Sequence, residues 1–170
     1  MIQELQQKYG NDNVYFGDQT GCDKYFHRKS GYAKKGIKIH KEISGLRYKR
    51  LSIISLCNYQ NKLVFPIIYE DTADSTLVYW YFETQVLPFI DENSVVILDN
   101  ARIHKSPKLK ELFEKYNCHL KFLSPYSPDL NPTENIWGNV KQDLCNYYNH
   151  TLTLIDNICQ SVNKYSLMVD

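Results

Sequence analysis

Apolar and polar positions divide this 170-residue chain into alternating strand-like and helix-like segments. The clearest is SVVILDN, residues 94–100, in which four consecutive large apolar residues are flanked by polar ones. Such a run predicts a central strand buried on both faces. NVYFGD, residues 13–18, is short, β-branched and aromatic, and predicts a buried strand that leaves the core at Asp18. Over residues 50–70, two apolar runs flank Asn58-Tyr59-Gln60-Asn61, the pattern of a hairpin. Pro66 places its second strand at a sheet edge or at a bulge. HLKFL, residues 119–123, predicts a further strand.

Between the strands the spacing becomes helical. Residues 2–9 form a short amphipathic pattern around Ile2 and Leu5. Asp74 or Ser75 caps a helix reaching about residue 90, with Val78, Phe82, Val86 and Phe89 on one face and Pro88 marking its end. Ser106-Pro107 is an N-cap followed by proline at the first helical position, and Leu109, Leu112, Phe113 and Tyr116 supply the apolar face. Asn131 caps a helix that has Pro132 at its first position and Ile136, Val140 and Leu144 along one side. A last helix covers roughly residues 152–165. Two stretches interrupt the regularity. Residues 19–47 are punctuated by four glycines and read as irregular loop with one short strand at 36–40. Residues 124–132 hold three prolines and form a stiff connector without regular structure.

The order is strand, hairpin, helix, strand, helix, strand, helix, helix. It predicts an α/β chain with a mixed five-stranded sheet, an antiparallel meander followed by parallel strands, flanked by helices. That is the order of a ribonuclease H-like fold. The expected organisation is a residual linker or helix over 1–12, a catalytic domain over 13–150, and a C-terminal helix over 151–170 packed on the same domain.

Composition narrows the class. Hydrophobic residues make up 43% of the chain, enough for a folded core. No apolar run approaches the ~20 residues of a membrane-spanning helix, and MIQELQQKYG has no signal-peptide core, so a cytoplasmic protein without membrane contact is expected. The five cysteines have no C-x-x-C spacing and read as reduced thiols that fill core positions. The net charge of +1 conceals an asymmetry. Residues 24–50 carry 10 Lys/Arg against the single acid Glu42, whereas residues 51–170 carry 9 against 14 acids. A basic stretch interleaved with Tyr25, Phe26, His27 and Tyr32 suits contact with a nucleic-acid backbone plus base stacking. It equally suits a solvated loop pinned to the core by its aromatics.

Three carboxylates end core elements: Asp18, Asp99 after the apolar strand, and Glu134 on the first turn of the helix capped by Asn131. Phosphodiester chemistry is served by two divalent ions about 3.5–4 Å apart, one activating the attacking oxygen and one stabilising the leaving oxygen. Mg²⁺ takes oxygen ligands and retains water, so a few carboxylates suffice. Each acid also has a plainer reading. Asp99-Asn100 and Asp18 before Gln-Thr-Gly fit turns, and Glu134 fits the N3 position of a capping box.

VVILDNARIHKS followed by LSPYSPDLNPTENIWGNVK resembles the catalytic domain of the IS630 family of bacterial transposases, in the IS630/Tc1/mariner superfamily. Thirty-four residues separate Asp99 from Glu134, the interval of that superfamily. The resemblance implies double-stranded DNA as partner, at element ends and at the target. It implies an acidic triad of Asp18, Asp99 and Glu134 binding two Mg²⁺ or Mn²⁺ ions. Asn100 and His104 match supporting positions, and Lys141 matches the basic position after the tryptophan. Arg28, Lys29, Lys34, Lys35 and Lys105 are the expected phosphate contacts. Action on a bacterial nucleoid and a possible homodimer follow from the same likeness.

Two positions depart from the family. Gln19 stands where a second acid is usual, and the chain starts almost at the first catalytic strand, leaving the helix-turn-helix that reads terminal repeats on a separate or missing segment. A two-frame element, a frameshift product and a decayed copy are the readings this leaves. The alternatives are an inactive remnant that binds DNA without sequence preference, and another nuclease of the same fold.

Overall fold

The computed structural model describes residues 2–22, 50–70, 72–124 and 127–167. The loop expected over 19–47, its short strand, and Arg28, Lys29, Lys34 and Lys35 therefore lie largely or wholly outside the described residues. Helix α1 (Ile2–Tyr9) leads into β1 (Val14–Cys22), and β2 (Leu51–Cys57) and β3 (Leu63–Glu70) follow. Then come α2 (Ser75–Tyr81), β4 (Val95–Leu98), α3 (Pro107–Lys115), β5 (His119–Phe122), α4 (Pro132–Tyr147) and α5 (Leu154–Asn163). The sheet runs β3-β2-β1-β4-β5. β1, β2 and β3 pair antiparallel, while β4 lies parallel to both β1 and β5. This is the mixed five-stranded sheet expected from the order of elements.

Two apolar cores sandwich the sheet. On one face Val14, Phe16, Ile53, Val95 and Ile97 meet Ile136, Trp137, Val140 and Leu144 of α4 and Ile158 and Val162 of α5. Ile2, Leu5 and Tyr9 of α1 pack against the same core. On the other face Ile54, Leu56, Val96 and Leu98 meet α2, the turns after it, and α3. Strand β4 feeds both cores and is buried at all four positions, as its uninterrupted apolar run requires. Of the five thiols, Cys22, Cys57 and Cys118 are buried, and none of the five is in a disulfide.

Several elements differ from expectation for identifiable reasons. β1 does not stop at Asp18 but continues to Cys22, because β2 keeps pairing with it through Asp18↔Ser55 and on to Cys22↔Leu51. Its parallel pairing with β4 ends earlier, at Phe16↔Ile97. β3 is indeed an edge strand, and it carries the irregularity that Pro66 foretold. Phe65 has φ of 56°, and its carbonyl accepts the Tyr81 hydroxyl at 3.0 Å. The helix begun by the Asp74 cap passes after Tyr81 into a π turn, Phe82–Val86, and then a 3₁₀ turn, Leu87–Phe89. The π turn accommodates the four-residue spacing of Val78, Phe82 and Val86, all buried. The changed phase buries Leu87 and turns Phe89 outward, 69% exposed, against the expectation that it joins the core. The proline-rich connector, expected to lack regular structure, includes a short 3₁₀ turn at Pro128–Leu130.

Helix α4 is fastened to the sheet by its first turn. Asn131 caps it through Thr133 N, and the Thr133 hydroxyl donates to the Phe16 carbonyl at 3.2 Å, wholly buried. A Thr133→Val chain keeps the shape and loses the donor. Its denaturant midpoint is expected to fall by the equivalent of about 1–2 kcal/mol, the usual cost of stranding a buried acceptor, and an unchanged midpoint would show that this bond does not hold the helix.

Candidate active site

The unequal lengths of β1 and β4 create the site. Because parallel pairing stops at Phe16↔Ile97, Asp18 lies two residues beyond it, and Asp99 is the first residue past β4. Helix α4, anchored at Thr133, presents the next residue, Glu134, from the side. Asp18, Asp99 and Glu134 line one cleft of about 270 Å³, with Asn100, Ser124, Ser127 and Asn131 adding polar groups to its wall. The strands bearing the two aspartates are adjacent, as the sequence implied.

Asp99 is held on one side. Its Oδ1 accepts the Ala101 N–H at 3.0 Å and lies 2.6 Å from His104 Nδ1. An ionised carboxylate only accepts, so Nδ1 is the donor. The buried His104, with Ala101 N–H and the charge of Lys105 assisting, holds Asp99 below the usual carboxylate range although burial works against it. Neither bond falls on Oδ2. Asn100 turns the other way and donates its side-chain amide to the Leu123 carbonyl, joining the ends of β4 and β5.

Asp18 is shifted in the opposite direction. Burial pushes it up to about 7, and the charges of Glu134 and Asp99 add to the shift, while the Gln19 backbone and the Trp137 indole oppose it. Its Oδ2 is buried with no hydrogen-bond partner, and so is Trp137 Nε1. The indole is near enough to favour the charged carboxylate yet does not reach hydrogen-bond geometry with it.

Glu134 is exposed, and no capping box closes on Asn131. The structural role that its N3 position allowed is not the one it takes. Among the described residues no group of three His, Cys, Asp or Glu side chains is disposed to hold a single ion. The sequence reading had the three acids meeting at one spot; they stand around the walls of one cleft, where like charges resist closer approach.

Of the other expected residues, Lys105 is exposed next to His104 but does not line the cleft, and Lys141 is half-buried further along α4. Ser124, Ser127, Asn131 and Trp137 were not singled out as site residues from the sequence. Trp137 could have been, since it follows Glu134 by one helical turn in the same motif.

The chain matches the family model described as DDE superfamily endonuclease over residues 13–155. A 75-residue stretch is 32% identical to the Transposable element Tcb2 transposase of Caenorhabditis briggsae, covering 44% of this chain and 26% of that one. A 45-residue stretch, 26% of this chain, is 51% identical to 31% of an uncharacterised protein, y4pE/y4sA, of Sinorhizobium fredii. Among solved structures, the Mos1 transposase paired-end complex with left transposon end superposes with a TM-score of 0.68 at 14% identity, over 99% of this chain and 52% of that chain. The HTLV-2 integrase catalytic core domain in complex with magnesium gives a TM-score of 0.55 at 13% identity, over 89% of this chain and 83% of that one. The chain thus spans about half of the Mos1 chain, and less of the curated relatives. With a family match over most of its length and a sheet shared with these catalytic domains, the chain belongs to the DDE superfamily endonucleases and has their ribonuclease H-like fold.

Proposed function

We propose that this chain is the catalytic domain of an IS630-type transposase, cutting DNA strands at the ends of a mobile element and joining the freed ends to target DNA with the help of divalent metal ions. The observation that supports this reading most is the single cleft lined by Asp18, Asp99 and Glu134, which come from two strands and a helix far apart in the chain. In cleavage, water attacks a phosphodiester, the bond to the 3′ oxygen breaks, and a 3′-OH and a 5′-phosphate result. In joining, that 3′-OH attacks a target phosphodiester.

The donor set suits a hard cation. Three carboxylates face one cleft whose lining, among the described residues, includes no thiol or imidazole. Burial and two neighbouring charges disfavour the ionised Asp18, and a cation among the acids offsets both. Asp18, Asp99 and Glu134 would hold a pair of Mg²⁺ or Mn²⁺ ions, which would supply positive charge against the scissile phosphate and its leaving oxygen.

The chain's own residues do the rest. His104 and Ala101 N–H keep Asp99 ionised and aimed. Asn100 fixes the loop after β4 to the end of β5. Ser124, Ser127 and Asn131 offer donors to phosphate oxygens along the cleft wall. Lys141 follows Glu134 by seven residues on the same helix, about 10 Å along nearly the same face. With Lys105 it meets flanking phosphates, and Arg28, Lys29, Lys34 and Lys35 extend that contact. In this reading terminal repeats are read by a helix-turn-helix outside the chain, two copies pair the element ends, and the work is done on the nucleoid of a bacterial cytoplasm. Tcb2 and Mos1 are named as transposases, and Mos1 is described with a transposon end and in a strand transfer complex.

Nicking of a supercoiled plasmid in Mg²⁺ or Mn²⁺, with and without a supplied DNA-reading domain, tests the proposal. Glu134→Gln is the cleanest variant, because that side chain is exposed. Nicking should fall at least about a hundredfold, more than loss of a ligand's outer partner costs, with the melting temperature unchanged. Asp99→Ala should lose nicking equally, and undiminished nicking by either variant would sink the assignment.

A second prediction concerns pH in metal-free buffer. Asp18 moves from an ordinary 3.8 to about 7 in the fold, so between these values the folded state keeps a proton that the unfolded chain has released. Its effect on stability is nil below the lower value, grows unfavourable as pH rises, and is complete above the upper one. Asp18→Asn should therefore raise unfolding free energy at about pH 8 by on the order of 1–3 kcal/mol, discounted for partial exposure. The gain should vanish near pH 4, and chemical denaturation showing equal stability at both pH values would contradict it.

A further inference from the structure

Among the described residues three buried side-chain atoms have no hydrogen-bond partner: Asp18 Oδ2, Trp137 Nε1 and Ser94 Oγ. Ser94 precedes β4, at the opposite end of that strand from Asp99. The other two are complementary. An indole N–H only donates and an ionised carboxylate only accepts. Burial denies each of them a water in place of the missing partner, so a small rotation that joins them is favoured.

The fold brings them together through one helical turn. Thr133 bonds the Phe16 carbonyl, two residues before Asp18. Glu134 follows and lines the cleft, and Trp137 comes one turn later with its ring in the same core as Val14 and Phe16. Trp137 is 2% exposed, so its N–H has no recourse to solvent. Because Oδ2 of Asp18 is buried as well, Oδ1 is the oxygen left for the cleft. Asp99 has an equivalent arrangement, with His104 Nδ1 holding one oxygen.

We infer that Trp137 is the positioning residue of Asp18: its indole N–H takes Oδ2, sets the plane of the carboxylate, and leaves Oδ1 directed at the cation and substrate. The inference rests on the reading of Asp18 as a catalytic metal ligand. The indole favours the charged form of Asp18, in keeping with this role. An indole N–H does not titrate, so the donor itself is present at any pH. A donor behind a metal-bound carboxylate orients it, and loss of such a partner typically costs 10–100-fold in metal affinity.

The test uses the full chain and two substitutions. Trp137→Phe preserves an aromatic ring of similar reach and removes only the donor. Mn²⁺ titration by calorimetry should show affinity weakened about 10–100-fold. Nicking should show a raised half-saturating metal concentration with most of its maximal rate recovered at high Mn²⁺. Metal affinity and half-saturation equal to the unsubstituted chain would overturn the inference. Trp80→Phe, at an exposed position on α2, leaves Trp137 as the only tryptophan and keeps the question answerable if Trp137→Phe does not fold. In that background Trp137 emission should shift on adding Mg²⁺, and Asp18→Asn should abolish the shift. Emission indifferent to Mg²⁺, while calorimetry still shows binding, would also overturn it. If instead Asp18→Asn and Glu134→Gln bind Mn²⁺ as the unsubstituted chain does, the metal-site reading fails first, and the role of Trp137 falls with it.

Discussion

One hydrogen bond, from the Thr133 hydroxyl to the carbonyl of Phe16, links the two halves of the site. The acceptor is on the central strand at the last parallel pair with β4, and the donor is on the first turn of α4. Everything the cleft needs from the helix follows within four residues. The bond sets the depth and rotation at which α4 meets the sheet, because Pro132 and the Asn131 cap leave the first turn no alternative start. Ile136, Val140 and Leu144 then seat the rest of the helix on the core. A glycine at position 17 serves the same end from below. A Cβ there would collide with the side-chain ends of Leu98 and Leu56, which close over β1 from the strands on either side. The backbone of the central strand is thus confined immediately before the aspartate it delivers.

The site works against the fold that holds it. Three like charges share one cleft, and Asp18 is burdened by burial and by both of its acidic neighbours. Asp99 is relieved by His104, a buried ring whose only described polar contact is that carboxylate. The two aspartates therefore sit on opposite sides of the ordinary carboxylate range, although their strands are adjacent. Strain of this kind is the usual mark of a binding site for opposite charge. The two apolar cores on either face carry the stability that makes it tolerable.

Much of this was legible in the residues, and the exceptions have physical causes. The buried run at 95–98 and the Asn131-Pro132 start of α4 are strong local signals, and Asp99 and Glu134 follow from them. Asp18 was placed at a strand end that the structure moves to Cys22, because no local pattern reveals how far a partner strand continues. That information resides in residues 51–55 of β2. Phe89 was assigned to the core on a regular helical phase that the π turn at 82–86 breaks. The cleft walls from Ser124, Ser127 and Asn131 were hidden in a proline-rich connector, whose course depends on distant neighbours. The donor in Trp137 was masked by its ring, since a core tryptophan reads as apolar filler until its nitrogen is followed.

The strand order has a consequence for how the polypeptide comes to be folded. The meander of β1, β2 and β3 closes through neighbouring segments, yet the inner edge of β1 receives β4 only after some eighty further residues have left the ribosome. Pairing across so long an interval is slow, since loop closure must precede any contact that rewards it. Until then Val14, Tyr15 and Phe16 present unpaired amides beside apolar side chains, a template for the same edge of another nascent molecule. The acidic cleft lies at the end of this late-closing seam, so a chain caught before closure lacks the cleft and is prone to associate.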